Sequence, residues 1–141
     1  MRRSLFIALF LLLFETCAFG ADYIVIANSR NPIGDLDRET LREIYLGERL
    51  FAGGTRLTPI NLTEGAVKDA FLREIVGMEA KAYKLHWIKL VFQQGKSLPR
   101  TVGTVDDILD IVRRDRGAVA YIPSSWSSEV EGVDGIMVVE P

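Results

Sequence analysis

The order of segments in this chain of 141 residues predicts an α/β fold, a parallel or mixed sheet with helices on its faces. Three observations predict it. Tyr23–Ala27 and Ala118–Ile122 are continuous apolar runs, as in strands covered on both sides. Leu57–Leu72 reads as strand, short polar turn, then helix, with Val67, Ala70, Phe71 and Ile75 at helical spacing. Between these runs lie further segments of helical period, so strands and helices alternate.

The first twenty residues read as a targeting signal: Arg2 and Arg3, the apolar run Leu5–Phe14, and Ala18-Phe19-Gly20 before Ala21 as a cleavage site. Ten apolar residues fall short of the roughly 20 that span a bilayer. Residues 1–21 are therefore expected to be a signal peptide, residues 22–141 a single α/β domain, and the compartment periplasmic. The only cysteine, Cys17, lies in the signal, so the mature chain has neither disulfide nor thiolate chemistry. Setting aside Arg2, Arg3 and Glu15 leaves 15 basic against 18 acidic residues. A mildly acidic chain without a basic aromatic patch argues against nucleic acid as partner. Roughly 120 residues support one modest core.

Taken in order, Tyr23–Ala27 is the first strand and Asn28–Pro32 a polar turn. Asp37 stands as the cap of a helix whose buried stripe is Leu41, Ile44 and Tyr45, with Gly47 as its end. Glu48–Arg56 is a turn leading into the strand at Leu57–Leu62, where Pro59 is tolerated near the strand's start. Thr63-Glu64-Gly65 then opens a helix, either as a plain connection capped by Thr63 or as an anion site using the free N–H groups of Gly65, Ala66 and Val67. Glu79–Gln93 is a longer helix ended by Gly95; Tyr83, Trp87, Leu90 and Val91, widened by Leu85, Ile88 and Phe92, predict that it is well buried. Ser97–Arg100 is a loop. Thr104–Asp107 caps a helix with Val105, Ile108, Leu109 and Val112 as its core face, closed by Gly117. After the strand Ala118–Ile122, Pro123–Trp126 turns the chain toward a last strand at Ile136–Val139.

Ligands of open α/β sheets gather beyond the carboxyl ends of strands. Three polar turns qualify, giving Asn28, Ser29, Asn61, Thr63, Gly65, Ala66 and Ser124 as candidate ligand-binding residues. Catalytic chemistry is poorly supplied. His86 is the only histidine and sits in a largely apolar helix beside Trp87, the context of a packed residue. With no second histidine or cysteine, an ordinary zinc site is not expected, and Asp106, Asp107 and Asp110 lack calcium-loop spacing. Ser124 and Ser125 have no base that sequence can place. No catalytic residue, metal or cofactor is expected.

Asn31-Pro32, the pattern Leu36-x4-Leu41-x2-Ile44-Tyr45-x-Gly47, Thr58-Pro59-Ile60-Asn61-Leu62 with a glycine-bearing turn before Phe71, His86-Trp87, Phe92, and Gly117–Ile122 together resemble one lobe of the phosphate-binding proteins that serve ABC importers. The resemblance covers nearly the whole mature chain. It implies a single lobe of a type II periplasmic-binding-protein-like fold, with a mostly parallel sheet and helices on both faces, and a non-enzymatic protein that captures a small oxyanion such as phosphate. An ABC permease or another envelope protein is then an expected partner. Members of that family close two lobes around phosphate with an arginine and a Ser-Gly-Thr turn. Here Asn61 stands where the arginine is expected, and Glu64-Gly65-Ala66-Val67 replaces the hydroxyl-bearing turn. Asn61 offers a neutral amide where arginine offers a charged fork, and Glu64 would repel an anion unless it points away. One lobe offers half a cleft. A homodimer could complete it, another protein could supply the second wall, or the chain could be an exported accessory protein that keeps the fold without the ligand.

Overall fold

The computed structural model describes residues 22–141; the expected signal peptide, residues 1–21 with Cys17, lies outside them. The elements are β1 (Tyr23–Asn28), α1 (Arg38–Tyr45), a small hairpin of β2 (Phe51–Ala52) and β3 (Thr55–Arg56), then β4 (Thr58–Leu62). α2 (Ala66–Phe71) continues as a π-turn over Leu72–Val76; α3 (Ala80–Gln94), β5 (Arg100–Val102) and α4 (Val105–Arg114) follow. β6 (Ala118–Pro123) leads through a 3-10 turn, Ser124–Trp126, into α5 (Ser127–Val130) and β7 (Ile136–Val139).

The main sheet has the order β5-β4-β6-β1-β7. β4 is parallel to β5 and to β6, while β1 runs antiparallel to β6 and β7. Four strands therefore share one direction and β1 alone is reversed, so the sheet is mostly parallel. Helices cover both faces. On one face Phe71 of α2 stacks on Tyr121 with ring centroids 4.0 Å apart, and Tyr45 of α1 meets Phe71 edge-on at 4.8 Å. Ala120 and Ile122 flank Tyr121 and so point the other way. They too are fully buried, on the side where α4 packs against β6 and β1 through Ile108 and Val112.

Local signals account for most boundaries. Asp37 caps α1, accepting from the Thr40 N–H at 2.8 Å, and Thr104 accepts from the Asp107 N–H at 3.2 Å at the start of α4. Gly47 follows α1 at φ +75°, where a Cβ would lie 2.7 Å from the Trp87 ring, so both backbone and space require glycine. Pro59 sits next to the start of β4, and β5 begins only opposite Ile60, so the missing N–H breaks no ladder there.

Four expectations are corrected. The Glu48–Arg56 turn contains the β2–β3 hairpin. The end of the Ser97–Arg100 loop is already β5, too short and polar for periodicity to reveal. Thr63 does not cap α2, whose N-cap is Gly65 without any side-chain bond. The fourth concerns α3, of which only Tyr83 and Trp87 are buried, while Leu85 is 50% and Phe92 85% exposed. Its anchors explain this: the Tyr83 hydroxyl and Trp87 Nε1–H both donate to Tyr45 O, at 3.1 and 3.0 Å, and His86 Nε2–H donates to Leu46 O at 2.9 Å. The helix is held against the end of α1 by a narrow strip and not laid across the sheet, so the wide apolar arc finds no cover.

Candidate functional site

The ladder between β4 and β6 stops after Thr58–Ala118 and Pro59–Val119, and tyrosines fill the opening beyond it. The Tyr45 hydroxyl donates to Ile60 O (2.9 Å) and Val119 O (3.2 Å), bridging both strands. The Leu62 N–H, which a neighbouring strand would otherwise accept, donates to the Tyr121 hydroxyl at 3.3 Å. Tyr121 in turn donates to Asn61 Oδ1 (3.0 Å), and Asn61 Nδ2 donates to the Tyr83 hydroxyl (3.1 Å). Burial raises the pKa of Tyr45, Tyr83 and Tyr121, so each remains a protonated donor. Asn61, 2% exposed, thus has both ends of its amide engaged inside the protein. It lies at the floor of the carboxyl-end crevice, with its amide oxygen and one of its two amide hydrogens engaged.

Above that floor lies a groove of about 240 Å³ between the start of α2, α3 and the Leu98–Thr101 segment. Its charge comes from a residue that the sequence reading passed over. Lys68, in the first turn of α2, is only 8% exposed, and its ammonium lies 3.0 Å from Glu64 Oε1. Glu64 also lines the groove, with its side chain 76% exposed, and Lys84 of α3 lines the opposite wall. A signal for Lys68 was present in the chain, because it precedes Phe71 and Leu72 by three and four residues and so shares their inward face.

The predicted ligand residues divide between two ends of the sheet. Thr63, Gly65, Ala66 and Ser124 stand at the carboxyl ends of the adjacent parallel strands β4 and β6, the same edge as the groove. Gly65 and Ala66 open α2 with no side-chain cap, which leaves its first N–H groups directed beyond the strand end. Gly65 is extended at φ 161°, and a Cβ there would meet open space, so the turn does not depend on glycine. The Ser124 N–H is engaged by Asp22 O at 3.0 Å.

Asn28 and Ser29 do not join them. β1 runs against β6, with Tyr23 opposite Pro123 and Ala27 opposite Val119, so its carboxyl end lies at the amino ends of β4 and β6. There Asn28 is buried and committed: Nδ2 donates to Val112 O (2.7 Å) and Arg113 O (3.1 Å), and Oδ1 accepts from the Arg30 N–H (2.8 Å). The three candidate turns therefore do not converge on one cleft, because one reversed strand moves this one across the molecule.

Among the described residues no group of three or more His, Cys, Asp or Glu side chains could hold a metal ion, and no helix is long and apolar enough to cross a membrane. No protein-family model and no curated protein matches the chain. Solved structures do. A protein from Clostridium perfringens assigned as a phosphate ABC transporter substrate-binding protein, with bound phosphate, aligns at TM-score 0.61 and 20% identity over 84% of this chain and 44% of its own. An ABC-type phosphate transport receptor from Vibrio cholerae aligns at TM-score 0.56 and 14% identity, over 84% of this chain and 45% of the receptor. A Planctomyces limnophilus protein assigned as phosphate-binding gives 0.56 and 11%, over 84% and 40%. The chain spans less than half the length of each. At these identities the likeness is one of fold: the chain has the architecture of one lobe of a periplasmic binding protein.

Proposed function

We propose that this chain is an exported, non-enzymatic solute-binding protein of the periplasm that captures a small oxyanion such as phosphate at the groove beside α2. The observation that carries this reading is Lys68, whose side chain is nine-tenths buried at the carboxyl-end edge of the sheet and whose partner Glu64 is a solvent-exposed carboxylate. Lys68 supplies the positive charge that Asn61 cannot. Thr63, Gly65, Ala66, Val67 and Ser124 do not line the groove itself but stand on the same edge, where their N–H and hydroxyl groups would add neutral donors to a ligand that reaches beyond it. The fold shared with less than half the length of three structures, one holding phosphate, one a phosphate transport receptor and one assigned as phosphate-binding, supports the ligand class. Such a groove is one wall of a cleft, so a second copy, an ABC permease or another envelope protein would form the other.

Calorimetric titration of the purified protein with phosphate and then sulfate, at two protein concentrations, tests the proposal. Saturable heat that disappears in Lys68→Met supports it, and affinity that rises with protein concentration identifies a second copy as the other wall. No heat at millimolar phosphate overturns it.

A second reading, an accessory protein that keeps the fold and works through a partner surface, is favoured by one observation. Leu85, Ile88 and Phe92 form an exposed stripe on α3, continued by exposed Leu98. Ile88 and Leu98 also rim the groove, so a protein seated on the stripe would cover the anion site.

A further inference from the structure

The Asn28–Ser29 turn, excluded from the oxyanion groove, lines a separate cavity of about 520 Å³ at the other end of the sheet. Four arginines, Arg30, Arg113, Arg114 and Arg116, line it, against one carboxylate, Asp134. We propose that this cavity is a second anion site, taking a compact polyanion that carries two or more phosphate or carboxylate groups.

The cationic wall is built by Asn28. Its amide fastens Arg30 to the end of α4, where Arg113 and Arg114 emerge, and the Ser29 N–H bonds to Gly135 O at 3.1 Å, closing the side toward β7. The two α4 carbonyls bound by Asn28 are those whose partial negative charge would oppose an anion. A favourable helix dipole accounts for Arg113 and Arg114 in the last turn of α4, but Arg30 and Arg116 lie outside it. Arg113 reaches Asp110 only at 3.9 Å, and among the described residues Arg30, Arg114 and Arg116 form no ion pair. The cavity at the start of β4 is different: of its three arginines, Arg49 is bound to Glu43 at 3.0 Å and Arg56 lies over the Phe51 ring at 5.7 Å, which leaves Arg100 without either kind of contact. Grouping guanidinium groups without counter-ions is unfavourable until an anion joins them, and arginine forks match phosphate and carboxylate oxygens in pairs.

The lining also limits the ligand. No aliphatic or aromatic residue borders the cavity, so an apolar moiety would meet only the methylenes of the arginine stems. Its volume falls within the range of roughly 300–1,000 Å³ typical of metabolite sites, larger than one orthophosphate requires.

Titration of the purified protein with pyrophosphate, citrate and orthophosphate tests this site separately from the groove. Pyrophosphate identifies a phosphoryl ligand and citrate a carboxylate one. The expected result is saturable binding of at least one, about tenfold tighter than orthophosphate, that weakens about tenfold in Arg114→Gln with Arg116→Gln and is unchanged in Lys68→Met. Both arginines are exposed, and unchanged thermal unfolding of the double variant confirms its folding. The proposal is overturned by absence of saturable binding, by loss in Lys68→Met alone, or by full affinity in Arg114→Lys with Arg116→Lys, which would reveal diffuse charge attraction instead of fork recognition.

Discussion

The Tyr121 hydroxyl donates to Asn61 Oδ1 at 3.0 Å, joining residues sixty positions apart across the opening between β6 and β4. That bond turns a crevice that could have admitted ligand at its base into a closed floor. It also fixes the opening of the sheet above which α2 begins, because the same hydroxyl accepts the Leu62 N–H.

Tyr121→Phe should therefore lower stability by about 1–3 kcal/mol, since it leaves both Asn61 Oδ1 and the Leu62 N–H buried without partners. Urea unfolding measures this, and a variant as stable as the parent would show that the network contributes nothing net.

Alkali should unfold the protein. All four tyrosines are buried, and burial raises the pKa of each above the ordinary value of about 10, aided for Tyr23 by the hydrogen bond it donates to Glu74 at 2.6 Å. The folded chain holds protons that the unfolded chain releases. This contribution is complete below about pH 10 and is lost as pH rises above it. Spectrophotometric titration should show tyrosine ionisation coinciding with loss of circular dichroism; a tyrosine ionising near pH 10 in the folded protein would contradict its burial.

Gly117→Ala should destabilise by about 1–3 kcal/mol through overpacking. A Cβ there would lie 1.9 Å from Arg56 O, and the neighbouring backbone cannot simply retreat because the Thr58 N–H bonds to Gly117 O at 2.8 Å. Thermal unfolding decides it, and an unchanged midpoint would mean that β4 can shift freely against β6.

Glu64→Gln should tighten phosphate binding about two- to fivefold, the modest scale appropriate to an exposed ion pair. The carboxylate competes with the ligand for Lys68 and repels it, and glutamine does neither. Weaker binding in this variant would instead make Glu64 a positioning group for the lysine.

Replacing Leu85 and Phe92 by serine should leave the unfolding free energy within about 0.5 kcal/mol of the parent, because both side chains are exposed. The same variant should bind less of an apolar-surface dye. Undiminished dye binding would place the accessible apolar surface elsewhere.

Helix caps and apolar periods were legible from the chain because they act over a few residues: Asp37, Thr104 and Gly47 each satisfy or end a helix next to them. The strands at Tyr23 and Ala118 were legible for a similar reason, since only a doubly covered strand sustains such an apolar run. The width of α3's cover was not, because the hydrophobic pattern states which side chains could be buried and not what lies opposite them.

By itself, the sequence determined an alternating α/β fold, its strand–turn–helix unit at Leu57–Leu72, and the residue types available at each strand end. Tertiary structure decided which ends meet. The direction of β1 is set by hydrogen-bond pairing with β6 and β7, distant in the chain, and that one reversal carries Asn28 and Ser29 away from Thr63, Gly65, Ala66 and Ser124. Packing likewise decided that Asn61 serves Tyr121 and Tyr83 while Lys68 meets Glu64 beside the groove. A buried amide must find partners wherever the fold brings them, and no local pattern records where that is.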